Sequence, residues 1–453
     1  MSNDIVSNKE LSSAKEALLK KLSTRNNNVS DEIHPKNLKE GILSSTQQRL
    51  YYMQKLNPNS GFYNVPTAVE INAKIDPKKF EECLHLLIDK HKILRTSYHE
   101  TKESKLIQRI NKPSEIDYKY VDFSKDTNIN EVDNMIINFI LDETHKPLEL
   151  EKPPVRFFLL KSDGDKHVFL FISHHIMIDG RTTEILIDDL KNFYEKKSNE
   201  YNLETGDEYN YIDFAIWERK YFDSEEYKNS LKYWREQLDG EIGTLDLPKD
   251  YVRKNESNRI GNRVLKTIPT GSINYINNIA RDLKTTKFSV LYACLNLLLH
   301  KLTGNSEIVI GTQVGNRKLS VFEDIAGYFA NTVVLKTPIR ANNSFSELVQ
   351  KSSEIVFDAF THQNVPFEKV VEMKGLQRNL SLNPLFQVML VYQVSNFEES
   401  QFGDGEIKPI EFHNGTSKFD LDISIVESQD ELIISFEYDA ELYKKETIEN
   451  FLN

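Results

Sequence analysis

Apolar and polar positions alternate along most of the chain in a way that predicts strands followed by helices. The apolar run at residues 168–172 is typical of a buried strand, and a second apolar run at 155–160 precedes it. The sequence Ser-Asp-Gly-Asp at 162–165 favours a turn between them. Apolar residues at helical spacing between 182 and 194 predict a helix after the second strand. This segment therefore has the pattern of an α/β fold.

Comparable patterns precede and follow this segment. Ser44 and Gln47 have the spacing of a capping box at the start of a helix. Alternating apolar residues predict a strand at 65–75, and Asp76 with the proline after it predicts the start of the next helix. A later series of predicted elements comprises a strand at 262–268, helices at 272–284 and 290–302, and a strand at 308–311. Two α/β lobes of similar layout are therefore expected.

Two adjacent histidines lie where the strand at 168–172 ends and the chain turns towards the next helix. The sequence from 173 to 180 is Ser-His-His-Ile-Met-Ile-Asp-Gly. An imidazole, with an unperturbed pKa of about 6.5, accepts or donates a proton near neutral pH. Asp179 would orient an imidazole, as in a catalytic triad, or form an ion pair with an arginine elsewhere in the chain. Gly180 would let a substrate pass close to the backbone. This turn is the candidate site.

The residues alone leave another interpretation of this turn open. Buried histidines that bond to the backbone, with Asp179 as the N-cap of the next helix, would give the same pattern without a catalytic role. A metal site is disfavoured, because adjacent residues of a strand point to opposite faces and no cysteine or carboxylate cluster lies nearby in the sequence. No metal ligand is therefore assigned.

Composition and charge narrow the classes of function. The chain has 453 residues and a net charge of −12, so nucleic acid is not expected as a partner. No apolar run approaches the roughly 20 residues of a membrane span, and the N-terminus lacks the basic and apolar regions of a signal peptide. Cys83 and Cys294 lie in apolar helical patterns, as core residues do in a reducing compartment. A cytoplasmic protein with no membrane partner is expected.

The length favours two domains, at about 150 residues per domain as a soft guide. Residues 1–38 are polar and are predicted to be either a mostly disordered leader or a docking or linker helix for a preceding domain. The first lobe is assigned to residues 39–208 and the second to residues 209–453. The chain ends inside a helical pattern at 444–453, which suggests a piece of a larger protein.

Seven segments follow one another along the chain in the same order as the motifs of the condensation domains of nonribosomal peptide synthetases, and they resemble those motifs. The segment 174–180 matches the signature HHxxxDG in full. The other six correspond to SxAQxRLW at 44–51, RHExLRTxF at 90–98, YxDFAVW at 211–217, GxFVNT at 327–332, HQDVPFE at 362–368 and RDxSRNPL at 378–385. The departures include Thr46, Tyr51, Lys90, Lys92, Tyr98 and Arg181, the last where tryptophan is common. Together these matches identify the chain as similar to that family from about Leu43 to its end.

This resemblance implies a fold and an activity. The family has two lobes of the chloramphenicol-acetyltransferase type, arranged as a V around a central tunnel. Donor and acceptor thioesters arrive from opposite ends on the phosphopantetheine arms of peptidyl carrier proteins, beside a neighbouring adenylation domain. The acceptor amine attacks the donor thioester and forms an amide. No covalently bound cofactor is implied.

The resemblance also implies a role for each site residue. His175 would project into the tunnel and act as a general base or hold the amine, while His174 would be structural. Asp179 would form an ion pair with Arg317, which is preferred, or with Arg95. Gly180 would leave room for the acceptor arm. Two further residues are assigned to the tunnel or the pantetheine path, Ser44 and Asn331, although the amide of Asn331 would equally serve its own turn.

The subtype and the rival functions follow from the same motifs. Both histidines are present, which disfavours a cyclising relative, and the GxFVNT segment is kept, which disfavours an epimerisation domain. The segment 48–64 most resembles the subtype that joins an L-donor to an L-acceptor. The alternatives are a free-standing acyltransferase that uses acyl-coenzyme A and a non-catalytic domain that recruits carrier proteins.

Overall fold

The computed structural model describes most of the chain. The described residues are 34–113, 116–124, 129–195, 209–254, 259–340, 342–375, 383–394, 400–428 and 431–453. The leader predicted at 1–38 falls almost entirely outside these residues, as does the first part of the segment 378–385.

Strands and helices alternate, as the sequence pattern predicts. The strands are β1 Glu40–Ile42, β2 Asn64–Asn72, β3 Thr96–Glu100, β4 Leu106–Ile110, β5 Tyr118–Asp122, β6 Val155–Lys161, β7 Lys166–His174, β8 Gly261–Ile268, β9 Glu307–Val314, β10 Asn331–Pro338, β11 Val388–Val394, β12 Ser400–Phe402, β13 Gly405–Pro409, β14 Leu421–Glu427 and β15 Leu432–Asp439. The helices are α1 Ser45–Leu56, α2 Pro77–Lys90, α3 Ile129–His145, α4 Gly180–Glu195, α5 Tyr211–Tyr221, α6 Glu225–Gln237, α7 Thr270–Asp282, α8 Lys287–Thr303, α9 Phe345–Thr361, α10 Phe367–Lys374 and α11 Lys445–Leu452.

Two six-stranded sheets form the centres of the two lobes. The first sheet has the strand order β12-β13-β2-β7-β6-β5 and the second has the order β10-β9-β11-β14-β15-β8. Most neighbouring strands are antiparallel, and β5–β6, β9–β11 and β11–β14 are parallel. A small sheet of β1, β4 and β3 lies beside them. The prediction of an α/β fold is confirmed.

The first sheet contains strands from both halves of the chain. Strand β13 pairs antiparallel with β2, with Ile407 opposite Ile71, and β12 extends the same sheet. Ile407 and Phe402 are fully buried there. The assignment of residues 39–208 to one lobe therefore omits two strands that the folded sheet contains.

Local chemistry explains several helix ends. Ser44 caps α1, because its hydroxyl accepts a hydrogen bond from the backbone N–H of Gln47 while the side chain of Gln47 accepts one from the N–H of Ser44. Asp76 caps α2 by accepting from the N–H of Lys78, with Pro77 at the first helical position. Gly304 ends α8 at a φ of 72°, in the left-handed region that glycine adopts without strain.

Strand β7 is buried on both faces, which fixes the position of the residues that follow it. Phe169 and Phe171 pack into the large core, and Leu170 and Ile172 pack into a second, smaller core under α3. Because alternate residues of a strand point to opposite faces, this double burial accounts for the continuous apolar run at 168–172. The end of β7 is thus held rigidly at the boundary of both cores.

Candidate active site

His174 is the last residue of β7 and is fully buried. Its Nδ1 accepts a hydrogen bond of 3.1 Å from the backbone N–H of Ile176, so its proton lies on Nε2, which donates to Oε1 of Gln54 at 3.2 Å. Burial lowers the pKa of His174 to about 3. The ring is therefore neutral, and both of its nitrogens take part in hydrogen bonds that hold the turn.

His175 follows directly and has a half-buried side chain. Its Nδ1 lies 3.0 Å from the carbonyl oxygen of Ile178, and since a carbonyl only accepts, Nδ1 carries the proton. Nε2 therefore bears the lone pair, and within the described part of the chain no hydrogen-bond partner contacts it. Burial, with a smaller effect of Lys418, lowers the pKa of His175 to about 3. At neutral pH the ring presents an uncharged hydrogen-bond acceptor.

Asp179 joins three segments of the chain. Its Oδ1 accepts hydrogen bonds from the N–H of Thr182 at 2.8 Å and from Nη2 of Arg317 at 3.1 Å. Its Oδ2 accepts from the N–H of Phe329 at 3.0 Å and of Ala330 at 3.3 Å. The carboxylate thus caps α4, pairs with an arginine of the second lobe and holds the segment before β10.

Arg317 is the arginine that pairs with Asp179. Both side chains are buried, with 8% of the surface of Arg317 and 5% of that of Asp179 exposed. The other guanidinium nitrogen of Arg317 donates to the carbonyls of Phe322 at 2.7 Å and Ile325 at 2.6 Å. Arg95, the other candidate, donates instead to the carbonyl of Asn111 at 2.7 Å. The ion pair therefore joins the two lobes.

Gly180 begins α4 next to open space. A Cβ atom added there would have Nε2 of Gln393, at 3.6 Å, as its one close neighbour among the described residues, which is an ordinary contact distance. The absence of a side chain at Gly180 therefore leaves space between α4 and the end of β11.

The motifs predict Ser44 and Asn331 as tunnel residues. In the structure both side chains form hydrogen bonds within the protein. Only 1% of Ser44 is exposed, and besides capping α1 its hydroxyl lies 3.0 Å from that of Tyr211. Asn331 donates to the carbonyls of Gln363 and Val365, each at 2.7 Å, and accepts from the N–H of Phe367 at 3.1 Å. The tunnel role of both residues stays a prediction, and the contacts of Asn331 match the alternative in which its amide holds its own turn.

Three residues beside His175 were not singled out by the sequence. The ring centroid of Tyr328 lies 4.7 Å from that of His175. The positive charge of Arg49 acts on the phenol of Tyr328, and the Arg49 side chain forms an ion pair of 2.8 Å with Glu368. Arg49 and Glu368 lie within motif segments, but no local pattern links residues so far apart in sequence.

A group of charged residues lies on the second-lobe side of His175. Asp422 and Glu437 are directly opposite each other on β14 and β15, with Lys418 just before β14. Burial, followed by the charge of Glu437, raises the pKa of Asp422 to about 7, and burial lowers the pKa of Lys418. The positive charge of Lys418 adds to the forces that keep His175 neutral.

Two cavities border α4. One, of about 470 Å³, lies between β2, α4 and the segment 409–414 and is lined by Thr183, Glu184 and Ile187 of the helix. The other, of about 610 Å³, is lined by Arg181 and Asp189 of α4 together with residues 90–93 and 324–326. His175 belongs to neither lining, and the two cavities are lined by different residues of α4.

No helix in the described ranges is long and apolar enough to cross a membrane. No three histidine, cysteine, aspartate or glutamate side chains come together there as ligands of a metal ion.

Residues 37–453 match the family model described as "Condensation domain". The chain is 32% identical over 412 residues to gramicidin S synthase 2 of Brevibacillus brevis, covering 90% of this chain and 9% of that protein. It is 29% identical over 409 residues to tyrocidine synthase 3 of Brevibacillus parabrevis, covering 90% of this chain and 6% of that protein. The chain thus spans a small part of the curated relatives it matches.

Solved structures share the fold. A four domain nonribosomal peptide synthetase bound to AMP and glycine aligns with a TM-score of 0.80 at 21% identity, over 94% of this chain and 33% of that one. About a third of that four domain protein therefore has the same fold as this chain.

Proposed function

The chain belongs to the condensation domain family, and we propose that it joins two carrier-bound substrates by an amide bond. The donor is an aminoacyl or peptidyl thioester and the acceptor is an aminoacyl thioester, each on the phosphopantetheine arm of a peptidyl carrier protein. The observation that carries this proposal is His175, held at a strand end with its Nε2 available for a substrate. A neighbouring adenylation domain would supply the aminoacyl groups.

The reaction needs positioning more than activation. A thioester is already reactive, and holding two reactants in attacking geometry contributes about 7–11 kcal/mol of the barrier reduction in favourable cases. The carrier arms would bring the amine and the thioester carbonyl together beside the turn 175–180. Asp179 and Arg317 keep the two lobes in register around that point.

His175 fits a hydrogen-bond acceptor for the amine. Its lone pair lies on Nε2, and with a pKa of about 3 the ring stays uncharged at neutral pH. An α-amino group has a pKa of about 8, so transfer of its proton to this imidazole before attack is unfavourable. We propose that Nε2 accepts a hydrogen bond from the amine and orients its lone pair towards the donor carbonyl.

The test is dipeptide formation with defined substrates. Both neighbouring carrier proteins are loaded with chosen aminoacyl groups, and the product on the acceptor carrier is measured by mass spectrometry. His175→Ala should lower the rate of product formation by about 10²–10⁴-fold, the range typical of a positioned proton-transfer or hydrogen-bonding side chain. His85→Ala, at an exposed position on α2, is the matched control. A folded His175→Ala variant with the rate of the unchanged protein would refute the role of His175.

The choice of donor separates the proposal from its nearest rival. We propose that the donor carries an L-configured residue and must be bound to a carrier protein. Matched L- and D-loaded donor carriers test the configuration, with preferential use of the D-donor as the contrary result. Turnover with acyl-coenzyme A and no carrier would instead identify an acyltransferase of the rival class.

A further inference from the structure

Tyr328 lies against His175 and is fixed by the same residues that fix the turn. The two ring centroids are 4.7 Å apart, with 48° between the ring planes. The backbone carbonyl of Tyr328 accepts a hydrogen bond from the hydroxyl of Tyr211. The next N–H, that of Phe329, donates to Asp179 at 3.0 Å. Tyr328 is therefore positioned relative to His175 by the same carboxylate that caps α4.

The hydroxyl of Tyr328 lies close to a cation. The positive charge of Arg49 acts on the phenol, and a guanidinium group has only hydrogen-bond donors. A guanidinium can therefore interact with the phenol only at its oxygen lone pairs, which leaves the O–H proton for another acceptor. Among the residues that the structure describes, no protein acceptor contacts that O–H group. Burial raises the pKa of Tyr328 to about 12, so the proton stays on the phenol at neutral pH.

The cation behind the phenol is itself held in place. Nε of Arg49 lies 2.8 Å from Oε1 of Glu368, which joins α1 of the first lobe to α10 of the second. The side chain of Arg49 is 43% exposed. His175 and Tyr328 are likewise half-buried. Each of the three neighbouring side chains therefore keeps an accessible face.

We propose that the Tyr328 hydroxyl, with Arg49 behind it, donates a hydrogen bond to the carbonyl oxygen of the donor thioester. This inference rests on the proposed function. In the step concerned, the acceptor nitrogen forms a bond to the carbonyl carbon, and the C=O π pair moves to the oxygen. Collapse of that tetrahedral intermediate restores C=O and breaks the C–S bond. The electron pair leaves with the donor pantetheine sulfur, and the proton lost by the amine neutralises the thiolate.

Tyr328 transfers no proton in this scheme. Its hydrogen bond strengthens as negative charge develops on the carbonyl oxygen, and the guanidinium of Arg49 draws electron density from the phenol and makes it a better donor. His175 would then orient the nucleophile while Tyr328 stabilises the oxygen, from two adjoining rings. Loss of one such donor in other acyl-transfer enzymes lowers kcat by about 10²–10³-fold.

The test compares Tyr328→Phe with the unchanged chain in the carrier-bound dipeptide assay. The variant keeps the ring against His175 and removes only the hydroxyl. We expect kcat to fall by about 10²-fold, while KM for both loaded carriers stays within about 2-fold, because the bond strengthens only in the transition state. Tyr52→Phe, at a half-exposed position on α1, is the matched control and should change neither constant. An unchanged kcat in folded Tyr328→Phe would overturn the inference.

A second measurement covers the possibility that Tyr328→Phe does not fold. Replacing Tyr328 by 3-fluorotyrosine keeps size and hydroxyl and makes the phenol more acidic, so kcat should change measurably with the strength of the donor. A kcat equal to that of the unchanged chain would overturn the inference. Failure of the unchanged chain to form dipeptide with any loaded pair would instead refute the proposed function, so the two failures are distinguishable.

Discussion

At the residue scale, Asp179 has more partners than any catalytic role requires. Five hydrogen bonds reach its two oxygens, from Thr182, Phe329, Ala330 and, twice, Arg317. Removing one partner of a buried ion pair leaves the other charge without compensation. The carboxylate therefore contributes mainly to the stability of the junction between the lobes.

We predict that Asp179→Ala destabilises the protein rather than giving a folded, inactive enzyme. The expected loss is roughly 3–5 kcal/mol of the free energy of unfolding, because Arg317 stays buried without its counter-charge. Soluble yield and urea unfolding at pH 7 measure it, with Asp188→Ala, on the exposed face of α4, as the control. A soluble Asp179→Ala variant with unchanged unfolding and no activity would contradict the structural role.

The motifs indicate which residues lie near the site, but the contacts of each side chain depend on the folded structure. The preference for Arg317 over Arg95 agrees with the observed ion pair. Ser44 was expected in the tunnel, but its capping box and its contact with Tyr211 occupy the hydroxyl. Tyr328 was missed because its partner Arg49 is 279 positions away in the sequence (328 minus 49).

At the element scale, α4 begins at Gly180, and different residues of this helix line the two cavities that border it. The first turn of this helix is held by Asp179, so its position does not depend on a side chain at 180. Space for a small side chain exists there, limited by Gln393. The size of the residue at 180 should therefore affect access more than folding.

We predict that Gly180→Phe blocks condensation without unfolding the protein, whereas Gly180→Ala has little effect. The alanine Cβ meets Gln393 at an ordinary contact distance of 3.6 Å, but a phenylalanine ring would fill the adjoining space. We expect at least a 10-fold lower rate with Gly180→Phe and a melting temperature within a few degrees of the unchanged protein. Thermal unfolding and the dipeptide assay measure this. A fully active Gly180→Phe variant would show that no substrate passes this glycine.

Hydrophobic periodicity predicted the elements well and their ends less well. The helix expected at 182–194 begins at Gly180, because Asp179 accepts the N–H of Thr182 and starts the helix earlier. The helix α6 starts at Glu225, since Ser224 caps it by accepting from the N–H of Tyr227. The pairing of β13 with β2 was not predicted, because register between strands distant in sequence leaves no local pattern.

At the scale of the whole molecule, buried titratable groups at the junction between the lobes make stability depend on pH. Glu218 of α5 accepts a hydrogen bond of 2.7 Å from the N–H of Ser45 at the start of α1. Burial raises its pKa from 4.5 to about 7, against the hydrogen bond from Ser45, which lowers it, and with a smaller raising effect of the charge of Glu368. A raised pKa means that the folded protein binds the proton more tightly than the unfolded chain.

We predict that Glu218→Gln removes a loss of stability that the unchanged protein shows as pH rises. The contribution of Glu218 is fully present below pH 4.5 and is lost as pH rises through about 7, to a limit of about 3 kcal/mol. Glutamine can still accept from Ser45 and never ionises. Urea unfolding at pH 5 and pH 8 measures the free energy of unfolding of both proteins. The variant should be more stable, relative to the unchanged protein, at pH 8 than at pH 5.

The variant is compared with the unchanged protein at each pH, because His174 and His175 change the stability of both proteins with pH in the direction opposite to Glu218. Their pKa values are lowered from 6.5 to about 3, so they favour unfolding as pH falls below 6.5. Glu347→Gln, at an exposed helix start, is the control. The prediction would be contradicted if the free energies of unfolding of the variant and the unchanged protein differed by the same amount at both pH values.

The strand β13 has a consequence for biosynthesis and engineering. The first sheet cannot be completed until residues 405–409 have left the ribosome, about 235 residues after the end of β7 at His174 (409 minus 174). At roughly 5–20 residues per second, the edge of β2 stays unpaired in the nascent polypeptide for about 12–47 s. A chimaera spliced between residues 208 and 209 would inherit β2 from one parent and β13 from the other. Its folding then depends on whether these two strands still pair.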